Sequence, residues 1–345
     1  MSLQGGLEAH WQTGSVSSPR LSGPVEVIVA KDIPYIDDNN RFQTLSLYLP
    51  RTAETHSLGG LPVTSLPRLG SPSGRARYHV HIHGGAWRDP MLTAASIEPA
   101  VAHAFVDFGE SSPISAVVSL NYTLTHFPTH PAYPYDAAKD RPSDPSREAV
   151  HPQHISDVLH GLSLLRSIGL IDQSYILTGH SCGATIAFQA ALEAPSYHGL
   201  DDALEMPTPA ALIGLNGLYD LPSLVHDLGP THDILSTDYR IMLSHAFGPD
   251  ESKWPGYSPA RFDPDRIAER LSSGRAPQLA VIDQSEDDQL VPTNQLDRLA
   301  TNLRKVNGLQ VTVGNNCTGK HAAPWQQGFM IWDSVRNAKR LADRL

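Results

Sequence analysis

The chain has 345 residues, a length that fits one large domain or two ordinary ones. Its formal net charge is −10 with no basic cluster, so neither nucleic acid nor an anionic membrane is expected as a partner. Two cysteines are too few for a disulfide framework, and residues 1–20 carry no apolar signal segment. No run of about 18 apolar residues predicts a membrane span. We therefore expect a cytoplasmic globular protein with a sizeable core.

The N-terminal part of the chain predicts a tail, two strands and an insertion. Residues 1–22 are polar and contain Gly and Ser, so we expect a disordered tail there. The apolar runs 25–29 and 45–49 predict two strands at an antiparallel edge of a sheet. Residues 51–77 are rich in Pro, Gly and Ser and predict an exposed insertion. Residues 23–345 are expected to form a single domain.

A glycine motif follows the predicted strand at 78–83. The chain reads His-Gly-Gly-Ala-Trp over 83–87, and in α/β-hydrolases a loop of this type after the third strand contributes a backbone N–H to the oxyanion hole. Glycine suits that role because no Cβ separates the donor from the substrate carbonyl. Alone, the motif is more often an ordinary turn. The serine motif downstream favours Gly84 and Gly85 as oxyanion-hole residues.

The next elements alternate in type. A helix is predicted near 94–108, a buried strand at 114–120, a loop rich in Pro, His and Asp over 126–150, and a helix over 154–168. Strands are then predicted at 175–178, 210–215, 278–282 and 309–313, and helices at 184–193, 293–306 and the C-terminus. This order predicts the α/β class, with one mostly parallel, doubly wound sheet and helices on both faces. Residues 219–274 contain no strand-like run and predict a small helical lid.

The most informative stretch is Gly-His-Ser-Cys-Gly at residues 179–183, which has the form G-x-S-x-G. A predicted strand precedes it and a predicted helix follows it, which is the context that a nucleophile elbow requires. Gly179 and Gly183 would let the strand and the helix approach closely around a strained turn. We therefore predict Ser181 as the nucleophile and the backbone N–H of Cys182 as a second oxyanion donor.

The acid and the histidine should follow the serine in that order. An acidic cluster comes at the end of the strand predicted at 278–282, and four carboxylates compete: Asp283, Glu286, Asp287 and Asp288. Hydrolases of this fold commonly carry Asp-x-x-Val-Pro here, a register that favours Asp288, with Asp287 as second choice. The others are expected in a solvated loop. Among 17 histidines, His321 alone follows the last predicted strand at the required place.

These motifs together resemble those of a known family. His-Gly-Gly-Ala-Trp at 83–87 with Arg-Asp-Pro at 88–90, Gly-His-Ser-Cys-Gly-Ala at 179–184 and Gly-Lys-His at 319–321 are similar to kynurenine formamidases (arylformamidases), particularly the fungal branch. The resemblance runs from about residue 25 to the end, although the insertions at 51–77 and 132–150 are longer than in that family. It implies an α/β-hydrolase fold and hydrolysis of N-formyl-L-kynurenine to L-kynurenine and formate, a step of tryptophan breakdown towards nicotinamide nucleotides.

The predicted triad is compatible with that reaction. Ser181 would attack the formyl carbon, with His321 as base and Asp288 fixing the imidazole tautomer. No metal or cofactor is expected, because no Cys/His cluster has zinc-ligand spacing. Candidate walls for the aromatic ring are Trp87, Tyr133 and Tyr135, although simple packing is the commoner role for such residues.

Two other functions remain open at this point. A carboxylesterase of broad acyl specificity would use the same catalytic residues, and turnover of formylated anilines against simple esters would separate the two. A hydrolase-fold binding protein without catalysis is disfavoured because serine, acid and histidine all stand in order. The expected partner is a small aromatic formamide, and a homodimer is compatible with the sequence without being indicated by it.

Overall fold

One twisted sheet organises the computed structural model, which describes residues 9–65, 78–108, 114–171 and 175–345. Its strands are β1 Gln12–Val16, β2 Val25–Pro34, β3 Thr44–Pro50, β4 Tyr78–Ile82, β5 Ala116–Leu120, β6 Tyr175–His180, β7 Ala211–Leu215, β8 Leu279–Asp283 and β9 Gln310–Val313. Their spatial order is β1-β2-β3-β5-β4-β6-β7-β8-β9. The pairs β1–β2, β2–β3 and β3–β5 are antiparallel, and the other five pairs are parallel.

Helices cover both faces of this sheet. They are α1 Ala53–His56, α2 Glu98–Phe105, α3 Gln153–Ser167, α4 Cys182–Leu192, α5 Ser223–His226, α6 Ser236–Phe247, α7 Trp254–Tyr257, α8 Pro264–Ser272, α9 Asn294–Leu303, α10 Ala323–Gln327 and α11 Phe329–Ala342. Single 3-10 turns lie at Ala94–Ile97, Pro145–Arg147, Pro195–His198, Asp202–Leu204, Asp233–Leu235, Glu251–Lys253 and Pro259–Arg261. No helix in the described ranges is long and apolar enough to cross a membrane.

The central strands are mostly apolar because both of their faces are covered. Every residue of β5, β6, β7 and β8 is buried, as parallel strands between two helical layers require. One face packs against α2 and α11 in a cluster that includes Val101 and Val335. The opposite face packs against α3, α4 and α9 in a larger cluster that includes Val158, Ile186 and Leu299. The predicted α/β class is confirmed.

The N-terminal prediction needs a correction. Residues 12–16, expected in a disordered tail, form the edge strand β1, which pairs with β2 from Gln12 opposite Val29 to Val16 opposite Val25. The backbone hydrogen bonds of a sheet edge and the burial of Trp11 stabilise a segment whose composition is otherwise that of a loop. Residues 1–8 lie outside the described part of the chain.

The predicted insertion and the predicted lid both contain helical structure. The first part of the 51–77 insertion contains α1, whose N-cap Thr52 and Thr55 form a capping box, and residues 66–77 lie outside the described part. Residues 219–274 contain helices and 3-10 turns without a strand, as expected. Their apolar side chains, including Leu224, Leu243 and Trp254, join the larger core cluster, which packs this segment onto the domain.

Candidate active site

Ser181 stands at the sharp turn between β6 and α4. Its backbone has φ 55° and ψ −126°, a conformation that non-glycine residues rarely adopt and that costs on the order of 1–3 kcal/mol. A Cβ added to Gly179 would overlap the carbonyl of Gly183, and a Cβ added to Gly183 would overlap the carbonyl oxygens of Ile82 and His83. Only residues without a Cβ fit at these two positions, so the two glycines allow α4 to pack against the ends of β4 and β6. This is the geometry of a nucleophile elbow.

Asp288 and His321 form a buried pair across two loops. His321 Nδ1 lies 2.7 Å from Asp288 Oδ2, and both residues are almost inaccessible to solvent. The other carboxylate oxygen, Oδ1, accepts the backbone N–H groups of Leu290 and Val291, each at 2.9 Å. The carboxylate is thus held by two donors on one oxygen while its second oxygen faces the imidazole. Such a pairing orients a histidine with its Nε2 available.

The other three acidic residues lie elsewhere. Glu286 and Asp287 are exposed, as the solvated-loop prediction expects. Asp283 contradicts that prediction: it is fully buried at the end of β8, and it accepts the backbone N–H groups of Asn316 and Cys317 at 2.9 and 3.0 Å. Asp283 therefore ties down the loop that leads towards His321. Its burial follows from its being the last residue of a central strand, a feature that the acidic cluster around it conceals.

The backbone of His321 is fixed by three side chains that the sequence did not single out for this purpose. His180 Nε2 donates to the carbonyl oxygen of His321 at 2.9 Å, and Asn216 Nδ2 donates to the same oxygen at 3.3 Å. Gln289 Oε1 accepts the His321 N–H at 3.0 Å. Asn216 also accepts the N–H of Ser285 at 3.0 Å, so it joins the loop of the acid to the loop of the histidine. Its position at the end of β7, before Gly217, is the one sequence signal that could have drawn attention to it.

The glycine loop lies directly beside the serine. A Cβ added to Gly84 would stand 3.1 Å from the Cβ of Ser181. The following residues have positive φ in succession, 106° at Gly85, 53° at Ala86 and 59° at Trp87, so the chain turns sharply here. Within the described residues, the N–H groups of Gly84 and Gly85 donate to no acceptor. They are therefore free to serve an anionic oxygen formed next to Ser181.

The side chain of Cys182 supports this turn from beneath. Its Sγ accepts the N–H of Trp87 at 3.2 Å and lies 3.4 Å from the hydroxyl of Tyr122. Tyr122 Oη also lies 3.1 and 3.2 Å from the carbonyl oxygens of His83 and Gly84. Cys182 is completely buried, and burial raises the pKa of its thiol to about 11. The neutral thiol thus acts as a hydrogen-bond partner of the turn, a contact that its sequence position did not reveal.

A cavity of about 480 Å³ opens between these loops and the helical segment. Ser181 and His321 both border it, and so do Gly85 and His180. Within the described residues, Ser181 Oγ makes no hydrogen bond to His321, a common situation in unliganded sites, where this contact tightens only with substrate. The apolar walls come from Phe127, Leu218, Leu235, Tyr239, Met242, Leu290, Val291 and Trp325.

The three aromatic residues predicted as walls are not among them. Trp87 is buried beneath the turn, with its ring 5.0 Å from that of Phe247. Tyr135 hydrogen-bonds Glu148, and Tyr133 is exposed. At Trp87 the backbone has positive φ, and the side chain lies in the core. The prediction is corrected to walls from the loop around Phe127, from α6 and from α10.

Several histidines near the cavity are buried, and burial favours their neutral form. Burial lowers the pKa of His79 and His180 to about 3 and that of His83 to about 4. His79 and His81 both hydrogen-bond Thr178 at 2.7 Å, which satisfies one nitrogen of each ring. The histidines of β4 are buried because a strand covered on both faces buries whichever side chains it carries.

Fold and site together define an α/β-hydrolase: a mostly parallel sheet, a serine on a strand-to-helix elbow, and an aspartate–histidine pair on the loops after later strands. The chain matches no protein-family model. It is 33% identical over 270 residues to the kynurenine formamidase-like hydrolase fscH of Fusarium equiseti, covering 77% of this chain and 79% of that protein. The chain belongs to the family of kynurenine formamidase-like hydrolases.

Further comparisons agree with this assignment. The kynurenine formamidase avaC of Aspergillus versicolor is 29% identical over 286 residues, covering 78% of this chain and 86% of that protein. Among solved structures, a truncated carbohydrate esterase from gut microbiota aligns with a TM-score of 0.57 at 18% identity, over 90% of this chain and 96% of that one. Esterase B from Lactobacillus rhamnosis aligns with a TM-score of 0.56 at 14% identity, over 92% and 87%. These structural likenesses concern the fold.

Proposed function

We propose that this protein hydrolyses N-formyl-L-kynurenine to L-kynurenine and formate, a step of tryptophan catabolism by the kynurenine pathway. The observation that carries the proposal is the buried Asp288–His321 pair, whose histidine borders the same cavity as the elbow serine Ser181 in a chain of this family. The relatives named kynurenine formamidase support the choice of an amide substrate over an ester.

The first half of the reaction forms an acyl-enzyme. His321 Nε2 takes the proton of Ser181 Oγ as that oxygen attacks the formyl carbon, and Asp288 stabilises the imidazolium that results. The oxygen of the tetrahedral intermediate accepts the backbone N–H groups of Cys182 and of Gly84 or Gly85. Collapse breaks the C–N bond, and the departing aniline nitrogen takes the proton from His321. L-Kynurenine leaves, and the formyl group remains as an ester on Ser181.

The second half returns the free enzyme. His321 removes a proton from water, which attacks the formyl ester, and the proton is returned to Ser181 Oγ as formate leaves. Apart from the substrate and water, all groups in these steps are side chains and backbone groups of this chain. The apolar walls at Phe127, Tyr239, Met242 and Trp325 suit the benzoyl ring of the substrate.

An assay with N-formyl-L-kynurenine, followed by the absorbance of kynurenine, tests the proposal. We expect turnover by the wild-type enzyme and a loss on the order of a million-fold in Ser181→Ala. Labelling of the wild-type protein by a fluorophosphonate probe, absent in Ser181→Ala, reports the activated serine independently of the substrate. A labelled protein that leaves N-formyl-L-kynurenine intact would keep the serine hydrolase chemistry and refute the substrate.

A carboxylesterase is the second candidate, because solved esterases share the fold. The two functions differ in their tolerance of acyl length. A formamidase gains its rate from binding energy in the aromatic amino-acid part and should lose activity steeply from formyl to acetyl to butyryl on one aniline. Better turnover of butyryl esters than of the formamide would assign a general esterase with the same Ser181, Asp288 and His321.

We also propose that the protein works in the cytoplasm. Cys182 and Cys317 are both free and buried, which fits a reducing compartment.

A further inference from the structure

Arg88 brings a cation into the active-site cavity. It borders the same cavity as Ser181 and His321. Its guanidinium carbon stands 3.9 Å above the ring of Phe127, and its Nε is buried without a hydrogen-bond partner. Within the described residues it forms no salt bridge, although the carboxylates of Asp238 and Asp89 attract its charge from the walls of the same cavity. A buried polar group with unused donors is costly unless something pairs with it, so the arrangement points to an anionic ligand group.

The backbone places this cation at a set position relative to the reacting carbon. The N–H of Arg88 donates to the carbonyl oxygen of Gly85 at 2.9 Å, so Arg88 closes the turn that contains the proposed oxyanion donors. The contact with the ring of Phe127 limits the positions that the guanidinium can take. A planar, oriented guanidinium matches a carboxylate in two parallel hydrogen bonds, which an ammonium group would not.

A free carboxylate stands at the same cavity. Asp238, in the first turn of α6, borders the cavity and is exposed, and within the described residues it forms no hydrogen bond or ion pair. Asp89, the other acid of the cavity, is already engaged by the N–H of Met91 at 2.9 Å and by His130 at 3.3 Å. The cavity therefore offers one cation and one anion of opposite charge that are close enough to attract each other but form no direct salt bridge.

We propose that Arg88 and Asp238 form a receptor for a zwitterionic amino-acid group, with Arg88 binding the carboxylate and Asp238 the ammonium. In N-formyl-L-kynurenine, this group is the α-amino acid at the end of the molecule remote from the formyl carbon. This inference rests on the proposed function for the reacting bond, but the receptor itself concerns the remote end of the ligand. Both charged residues act in binding and take no part in the proton transfers.

The first test compares substrates on the wild-type enzyme and on Arg88→Met. The pair is N-formyl-L-kynurenine and its decarboxylated analogue N-formylkynuramine, which keeps the ring and the amine. We expect the wild type to prefer the acid by about 30-fold or more in kcat/KM, and Arg88→Met to lower this preference at least tenfold, mainly through KM. Arg304→Met, an exposed arginine outside the cavity, is the matched control and should keep the wild-type preference.

A second readout separates failure of the receptor from failure of the proposed function. L-Kynurenine and kynuramine are compared as competitive inhibitors of p-nitrophenyl acetate hydrolysis, which needs no formamide turnover. We expect L-kynurenine to inhibit at least tenfold better in the wild type, and this difference to shrink in Arg88→Met and, if that variant folds poorly, in Arg88→Gln. Equal inhibition by the two compounds in the wild type would overturn the receptor even if the formamide is hydrolysed. Preferential inhibition without formamide turnover would overturn the proposed reaction alone.

Discussion

The contacts of Asp288 determine what an amide at this position would do. In Asp288→Asn, the carbonyl oxygen of the amide should keep the place of Oδ1, because Leu290 and Val291 present two N–H donors to it at 2.9 Å. The amide NH₂ would then occupy the place of Oδ2, 2.7 Å from His321 Nδ1. The reverse orientation would set NH₂ against two N–H groups and is therefore excluded by like polarity.

This orientation forces the wrong imidazole tautomer. Facing a donor, His321 Nδ1 must be an acceptor, so the proton sits on Nε2 and the ring can no longer accept the proton of Ser181. We expect kcat to fall about ten-thousand-fold, which corresponds to about 5 kcal/mol of transition-state stabilisation. The fold should persist, because the two backbone hydrogen bonds to the oxygen are retained.

The measurement is kcat and kcat/KM for N-formyl-L-kynurenine and for p-nitrophenyl acetate, with a thermal melt to verify folding. Asp287→Asn removes the same charge one residue away, on an exposed side chain, and should stay within about twofold of the wild type. The assignment of Asp288 as the orienting acid would be refuted if a folded Asp288→Asn lost less than tenfold in kcat. A loss of kcat in Asp287→Asn that exceeds the loss in Asp288→Asn would also refute it.

The remaining predictions concern the turn, the elbow and acid stability. Cys182→Ala leaves the buried N–H of Trp87 without its acceptor, so we expect the free energy of unfolding in urea to fall by about 1–3 kcal/mol. Cys182→Ser keeps an acceptor and should recover part of this stability. An equal loss of stability in both variants would contradict the hydrogen bond. Iodoacetamide should leave the Cys182 thiol of the native protein unmodified at neutral pH, because it is buried and its pKa is raised to about 11; rapid labelling detected by mass spectrometry would show that the site opens. Gly183→Ala should yield insoluble or inactive protein, since its Cβ would overlap two backbone carbonyls, whereas Gly256→Ala, where an added Cβ meets only the distant Tyr197 hydroxyl, should behave as wild type in both solubility and activity. Burial lowers the pKa of His79, His154 and His180 to about 3, against about 6.5 in the unfolded chain; the unfolded state therefore binds more protons below pH 6.5, and stability should fall from pH 6.5 towards pH 3 by up to about 1.4 kcal/mol per pH unit for each histidine. Urea midpoints at pH 7.5, 6 and 5 measure this, and a flat profile would contradict it.

Local sequence determined the elements around the proposed nucleophile. A strand, a turn with two glycines and a helix are encoded within residues 175–193, because sterics at Gly179 and Gly183 act over a few residues. The alternation of apolar runs likewise predicted the parallel strands and the α/β class. The register of Asp288 and the position of His321 after the last strand predicted two side chains that the structure brings to 2.7 Å.

Tertiary structure alone decided which side chains share the cavity and which support it. Residues 12–16 form strand β1 because they pair with the edge of β2, although their sequence alone does not predict a strand. Asn216 and Asp283 gain their roles from loops that are distant in sequence and meet at the carboxyl ends of neighbouring strands. The structure lines the cavity with Phe127 and Trp325 and not with the predicted Trp87. The backbone of Trp87 has positive φ, and its side chain lies in the core. Contacts of this kind depend on how elements pack in three dimensions, and no local pattern of residues encodes that packing.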